Sequence, residues 1–368
     1  MGSLTPQAAL LLEQAADEAL AGADVGFLKG SSLLVTGATG LVGGALVRAV
    51  LRGSARQNLG VTVVLPMRNP SRAGDLFPAS GGATRVVAVE WPDLLAPLEA
   101  PKADYAVHAA AMTASLDMAR RPADTLVSAF ESARSFLAWA RRAQARKVLF
   151  LSSLEMYGAP RSGHPDMAEG DSGHIDPMLP RSSYSEGKRA AETLCAAFAA
   201  QHGVPACVAR LAQTFGPGAA PGDRRACAQF ARAALAGEDI VLHTAGRTAH
   251  NYCHVSDAVA ALLVLLQRGV AGEAYNIARE DSYATIRELA TRFAEQAGAG
   301  SRVVCDQAGA AAFGYAPEVQ IRLLTDKLAK LGHRARLGLP RMVDDLLAWY
   351  RALSHGAGAG SPPTSERI

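Results

Sequence analysis

Short apolar runs alternate with stretches of helical spacing from Ser31 to Arg210. Ser31 to Thr36 (SSLLVT) is followed by a glycine cluster and then by LVGGALVRAVL, whose apolar positions recur with a helical period. Val61 to Leu65, Arg85 to Val89, Tyr105 to His108, Val148 to Leu151 and Ala206 to Arg210 are further runs, several rich in β-branched residues. Helical patterns fill 123–142, with Pro122 at the first turn, and 183–201. Brief runs without polar alternation are strands covered on both faces, and strands that alternate with helices form a parallel sheet. The pattern predicts an α/β protein, with a Rossmann-type doubly wound parallel sheet over residues 31–210.

The texture changes after Arg210. GPGAAPG at Gly216 to Gly222 is a turn-rich break, followed by helical patterns near 224–236, 256–268, 284–298 and 340–353. Two short strand candidates, Ile240–Leu242 and Ala274–Ile277, lie among them. This predicts a smaller C-terminal α/β substrate lobe over 211–354, partly interleaved with the sheet domain and closing over the sheet's carboxyl edge, where open α/β sheets bind ligands. Pro6 to Ala21 reads as an amphipathic helix inside an N-terminal extension, residues 1–30, and residues 355–368 read as a flexible tail.

Composition narrows the function. The chain has 368 residues, 49% hydrophobic and 19% charged, as a globular protein with a large core has. Thirty-seven basic against 34 acidic residues leave +3, too balanced to favour nucleic acid or an anionic membrane as partner. The longest apolar run, AVAALLVLL at 258–266, is far shorter than the roughly 18 residues of a spanning helix and reads as a buried one. Met1 to Gly30 lacks the basic start and apolar stretch of a secretion signal, so a cytoplasmic protein is expected. The five cysteines show no C-x-x-C spacing, and neither a metal site nor a disulfide framework is expected.

Thr36 to Gly43 reads TGATGLVG, after a strand and at the start of a helix. Gly37 permits a tight turn, Gly40 lets the backbone approach a pyrophosphate, and Gly43 lets the helix pack closely on the sheet, while the helix N-terminus offers free N–H groups to the anion. Gly37, Thr39, Gly40, Leu41, Val42 and Gly43 are therefore the expected dinucleotide contacts. After the second strand, LPMRNPSR supplies Arg68 and Arg72 and no acid. A carboxylate there suits the ribose of NAD, and arginine suits the 2′-phosphate of NADP. The segment leans towards NADP, with Arg68 as its contact, and NAD stays open.

Tyr184 to Lys188 reads YSEGK within a helical stretch, which puts phenol and ammonium on one face. A free phenol titrates near pH 10, and a neighbouring cation with a positive nicotinamide ring is expected to draw it towards neutrality. Ser153, in LSSLEMYG just after a strand, can hold the same substrate oxygen. With eight tyrosines and six lysines in the chain, a chance Y-x-x-x-K is expected about 0.1 times. Ser153, Tyr184 and Lys188 are the predicted catalytic residues.

In this order these motifs resemble the extended short-chain dehydrogenase/reductase superfamily, and within it the nucleotide-sugar epimerase/dehydratase family. The resemblance spans about Leu33 to Leu353 and includes DYAVHAA at Asp104–Ala110, SSLEMYG, RLAQTFGPG at Arg210–Gly218, VSDAVAAL from Val255 and GEAYNIA at Gly272–Ala278. Its closest likeness is to members from surface-polysaccharide or secondary-metabolite clusters. The resemblance implies that Asp93, with Leu94, contacts the adenine and that His108, Ala109 and Ala110 line the cofactor cleft. It implies substrate contacts at Thr113, Glu155 and Gln213, a nucleotide-diphosphate sugar as substrate, and a homodimer built on the helices near 123–142 and 183–201. Two departures stand out. Family dehydratases carry an acidic pair where this chain has Leu154 and Glu155, and His250 occupies the place of an arginine that grips the diphosphate, with Arg247 three residues earlier as a possible substitute.

The full Ser–Tyr–Lys set with an incomplete elimination pair points to an NAD(P)-dependent epimerase that oxidises a sugar hydroxyl to a ketone and re-reduces it from the other face. An NADPH-dependent reductase, a 4,6-dehydratase using Glu155 alone and a uronic-acid decarboxylase are the alternatives within the family. A dinucleotide-sensing regulator or scaffold is the alternative outside enzymes.

Overall fold

The computed structural model describes residues 4–78, 83–112, 115–161, 163–306 and 318–354. The tail at 355–368 and Thr113 lie outside the described residues. The chain opens with α1 (Pro6–Gly22), β1 (Ser32–Thr36), α2 (Leu41–Gln57), β2 (Thr62–Met67), α3 (Ala73–Leu76), β3 (Arg85–Glu90), β4 (Tyr105–His108), α4 (Ser115–Arg120), α5 (Pro122–Ala143), β5 (Lys147–Ser153) and β6 (Asp166–Met167). It continues through α6 (Ser183–His202), β7 (Ala206–Leu211), β8 (Gln213–Phe215), α7 (Ala226–Ala236), β9 (Ile240–Leu242), β10 (Ala249–His250), β11 (Tyr252–His254) and α8 (Val255–Arg268). It closes with β12 (Ala274–Ile277), β13 (Ala284–Thr285), α9 (Ile286–Ala297), β14 (Val303–Cys305), β15 (Gln320–Leu323), α10 (Asp326–Lys330) and α11 (Leu339–Ser354).

Seven of these strands form one parallel sheet in the order β12-β7-β5-β4-β1-β2-β3. The order reverses between β1 and β4, so the loops leaving their carboxyl ends diverge and open a crevice there. Residues such as Leu33, Leu34, Val107, Leu149 and Ala209 have no exposed surface, as strands covered on both faces require. The helix boundaries follow local chemistry. Pro6 and Pro122 begin α1 and α5, and Thr5 caps α1 by accepting the Ala8 N–H. Gly203 ends α6 in the left-handed conformation.

The lobe holds a four-stranded sheet, β13-β10-β15-β6, and the parallel pairs β11–β8 and β14–β9. Phe215, Phe230, Tyr252, Phe293, Met342 and Trp349 belong to its own apolar cluster. Two segments cross the division at residue 210. β6 leaves the first half of the chain to pair with β15. In the other direction β12, which the sequence pattern assigns to the lobe, pairs with β7 from Ala274↔Val208 to Ile277↔Leu211 and becomes the edge strand of the large sheet. The helix between, α8, is buried from Val255 to Leu266 and packs against α1, α2, β5 and β7, which is why its apolar run wraps the whole helix. No helix among the described residues is long and apolar enough to cross a membrane.

α1 lays Ala8, Leu12, Ala15, Ala16 and Ala19 against α2, α8 and α11. Asp17 pairs with Arg52 and Arg56 of α2, and the Ser256 hydroxyl donates to the Ala15 carbonyl at 2.7 Å. The extension is thereby part of the packed body and joins the large sheet's helices to the lobe.

Among the described residues four histidines are buried, and burial holds them neutral: His108 and His254 are pushed down to about 3, and His250 and His333 to about 4. The His254 Nδ1 accepts the Ser256 N–H at 3.1 Å, a bond that only the unprotonated nitrogen can make. Unfolded rings titrate near 6.5, so their contribution to stability is intact above that pH and is lost as pH falls towards 4. Urea unfolding is expected to show stability falling between pH 6.5 and 4, and His108→Gln should flatten the slope by about 1.4 kcal/mol per pH unit.

Candidate active site

The crevice between β1 and β4 is built on close backbone approach. Gly37 has φ +69°, and a Cβ there would stand 2.6 Å from the backbone of Ala109 and Ala110. A Cβ on Gly43 would stand 2.4 Å from the Gly37 carbonyl oxygen. Gly40 is the N-cap of α2, no side chain caps that end and no acid lies in the first turn, which leaves its N–H groups free for an anion. Thr39 and Gly40 are exposed, with Leu41 and Val42 half-buried behind them. This turn fits the pyrophosphate of a dinucleotide.

The remaining cofactor candidates divide. Ala109 and Ala110 are half-buried on the crevice wall. The His108 ring is turned inward instead. It lies between Thr36 Oγ1 at 2.9 Å and Ser132 Oγ at 3.2 Å and stacks on Phe136 and Phe150, so only its backbone reaches the crevice. Asp93 is exposed, but its Oδ1 already accepts the Leu95 and Ala96 N–H groups, with Leu94 half-buried beside it. Arg68 and Arg72 are exposed at the end of β2. Sequence reasoning passed over Arg48 at the same corner: its guanidinium lies 5.2 Å over the Phe77 ring, and burial pushes it down to about 10.

The structure brings Ser153, Tyr184 and Lys188 together. Ser153 ends β5 and accepts the Glu155 N–H at 3.2 Å. Tyr184 and Lys188 lie one turn apart near the start of α6, and both are buried. Lys188 Nζ donates to the Leu151 carbonyl at 2.7 Å and stands 4.8 Å over the Phe150 ring and 5.9 Å from the Tyr184 ring centroid. Burial pushes Lys188 down to about 8, against the attraction of Glu192. Burial, then the Glu155 carboxylate, raises the Tyr184 phenol, and the Ser153 hydrogen bond, Arg181 and Arg225 offset only part of this. The phenol is thus raised and not lowered as expected: desolvation penalises the phenolate, and the Lys188 ammonium spends a hydrogen bond on Leu151.

Glu155 sits in a short 3₁₀ turn directly after Ser153. Burial raises its carboxyl above the usual range, and Arg181, with Nη2 at 3.4 Å from Oε2, pulls the other way. Beneath this turn, Arg210 makes a bidentate pair with Glu192 and donates to the Tyr157 hydroxyl at 2.8 Å, and Tyr157 donates to Asn276 Oδ1 at 2.8 Å. Arg189 donates to the Met156, Tyr157 and Gly173 carbonyls. Arg181, three residues before Tyr184, was the missed signal in the sequence.

The lobe residues are more scattered. Gln213 begins β8 beyond the carboxyl end of β7 and is half-buried. His250 is buried, its ring tilted 59° to that of Tyr252 with centroids 5.5 Å apart. The Arg247 side chain is 75% exposed and pairs with the Glu318 carboxylate at 2.9 Å.

Residues 33–278 match the family model described as NAD dependent epimerase/dehydratase. UDP-glucuronic acid decarboxylase 6 of Arabidopsis thaliana is 30% identical over 241 residues, covering 66% of this chain and 67% of that protein. UDP-glucuronic acid decarboxylase 1 of Xenopus tropicalis is 36% identical over 167 residues, covering 45% of this chain, and the match spans only 39% of that relative's length. The solved UDP-glucose 4-epimerase of Thermotoga maritima superposes with a TM-score of 0.72 at 21% identity, covering 88% of this chain and 99% of the other, a likeness of fold.

Two outcomes follow from the geometry. Gly43→Val should weaken dinucleotide binding at least about tenfold in a fluorescence titration, since the turn must open to admit the side chain. The free enzyme's kcat/KM should fall as pH rises through about 8, where Lys188 loses its proton. A profile flat to pH 10 would detach Lys188 from turnover.

Proposed function

This chain belongs to the NAD dependent epimerase/dehydratase family, and from that premise we propose that it oxidises a hydroxyl of a nucleotide-diphosphate uronic acid transiently and releases carbon dioxide. It is an enzyme, and its cofactor is a nicotinamide dinucleotide, NAD or NADP. The observation that carries the reading is a count of acids. One carboxyl, Glu155, stands beside Tyr184, and its neighbour is Leu154. Elimination of water calls for one group to take a proton from carbon and another to protonate the departing hydroxyl. Decarboxylation calls for a single proton donor. Burial raises the Glu155 carboxyl, which suits it to be that donor. The decarboxylase names of two relatives agree with this count.

Gly37, Gly40, Gly43 and the α2 N-terminus would hold the pyrophosphate, and Lys188 would offer its ammonium to the ribose. The dinucleotide, when bound, supplies the hydride acceptor and later donor, and in its oxidised form a positive ring that favours the phenolate. Tyr184 takes the proton of a sugar hydroxyl as that carbon is oxidised, while Ser153 holds the oxygen. With a ketone β to the carboxylate, the bond between ring carbon and carboxylate breaks, carbon dioxide leaves, and the electron pair stays on the ring carbon. Glu155 delivers a proton to that carbon. Tyr184 then returns its proton to the oxygen as the ketone is reduced. Each turnover consumes one proton and no net dinucleotide.

Epimerisation is the second reading, favoured by the completeness of Ser153, Tyr184 and Lys188 without a paired acid. With NAD or NADP added, the protein should release carbon dioxide from UDP-glucuronic acid. Tyr184→Phe should lower the rate by about 10³, and Glu155→Gln should let nicotinamide reduction proceed but slow product formation by about 10² to 10³. Deuterium exchange at a carbinol carbon of UDP-glucose, with no carbon dioxide from the uronate, would replace decarboxylation with epimerisation.

A further inference from the structure

Two buried donors just before Tyr184 have no partner among the described residues. Arg181 is held mostly out of solvent, at 17% side-chain exposure, and the partner it has among the described residues is Glu155 at 3.4 Å, a long contact made by Nη2. Its Nε is buried and has no hydrogen-bond partner. The Ser183 hydroxyl, two residues on, is likewise buried and without a partner. They stand three residues and one residue before Tyr184, and Arg181 acts on the Tyr184 phenol through space. Unpaired buried donors cost about 1–3 kcal/mol each when nothing satisfies them, so a site that retains two of them beside its reactive phenol is shaped for an acceptor that arrives from outside.

We infer that Arg181 and Ser183 form the subsite that recognises the substrate's carboxylate. The inference rests on the uronate reading above. A carboxylate is the acceptor that matches the set: a planar guanidinium presents Nε and Nη in one plane to two oxygens, and a serine hydroxyl adds a third donor. A neutral hydroxymethyl group in the same place offers one oxygen, no charge, and leaves donors unpaired. The arrangement also couples recognition to chemistry. A substrate carboxylate that takes the guanidinium draws it off Glu155, and Glu155 then loses the cation that opposes its protonation. Glu155 takes up a proton from solvent at that point, the proton it later gives to carbon. Recognition of the acid group thus loads the donor that its departure requires. The like charge of two carboxylates near one guanidinium acts in the same direction.

The test compares binding and turnover of UDP-glucuronic acid and UDP-glucose by the full chain with dinucleotide present. Wild type should bind the glucuronate more tightly than the glucose compound. Arg181→Gln should weaken the glucuronate by about 10- to 100-fold, as expected for lost bonds to a charged group, and shift UDP-glucose less than about threefold. Ser183→Ala, a smaller change that leaves the Glu155 pair in place, should weaken only the glucuronate, by about fivefold. Equal loss for both compounds, or loss for neither, overturns the subsite. Carbon dioxide release by wild type with unaltered selectivity in Arg181→Gln keeps the decarboxylase reading and removes this one. Selectivity lost in Arg181→Gln without any carbon dioxide from wild type does the reverse.

Discussion

The buried pair of Arg210 and Glu192 is the joint on which the site depends. Arg210 comes from β7 in the large sheet and Glu192 from the middle of α6, and both are nearly closed to solvent. The same guanidinium reaches Tyr157, at the end of the turn that carries Glu155, and Tyr157 reaches Asn276 on β12. Asn276 in turn donates to the Met167 and Leu324 carbonyls of the lobe. One network therefore fixes the distance between the helix bearing Tyr184 and Lys188, the turn bearing Ser153 and Glu155, and the lobe. Removing either ion would leave the other charge buried and unpaired, typically a loss of about 3–5 kcal/mol. Glu192 has a second effect. One turn beyond Lys188, it favours the ammonium against the desolvation that would strip it.

Burial sets the terms for each reactive group and does not favour the charged form of any. It raises Tyr184 and Glu155 and lowers Lys188. A phenol and a carboxyl pushed up, beside an ammonium pushed down, are three groups whose charged forms are all penalised by the same burial. Charge brought by the substrate and the dinucleotide then does more in this medium than it would in water. The relation between Tyr184 and Lys188 is accordingly one of shared burial and shared position more than of direct attraction, with Nζ committed to Leu151 and stacked over Phe150.

The parts legible in the sequence were those whose chemistry is local. The TGATGLVG turn needs glycine because its own backbone and the next strand approach within Cβ distance, and that need is written at Gly37 and Gly43. YSEGK shows a helix face in five letters, and the helices at 122–143 and 183–202 begin and end within a residue of the periodic pattern. Tertiary partners were not legible. β12 reads like any short strand, and only its pairing with β7 returns it to the large sheet. His108 looks like a crevice residue until Thr36 and Ser132 claim both ring nitrogens. Arg247 looks like a substrate grip until Glu318, 71 residues away, is placed beside it. Arg181 was overlooked because an arginine in a proline- and serine-rich loop has no pattern of its own.

The distribution of cations in the cleft follows from the same departures. His250 stands where the resemblance implies an arginine, and burial keeps its ring neutral. Arg247 is occupied at the surface. Besides Lys188, the positive charge near Tyr184 comes from Arg181, in the loop before α6, and from Arg225, at the N-cap of α7. Arg225 is already neutralised by Asp223 and tied to the Thr214 carbonyl, so it contributes shape and a partial field more than a free cation. Arg181 has only a raised carboxyl as partner, and a raised carboxyl yields its place to a stronger acid. Positive charge is thereby placed in the loop before α6, beside Tyr184, and not at His250 on β10, so an anionic group entering beside Tyr184 is the one this arrangement favours.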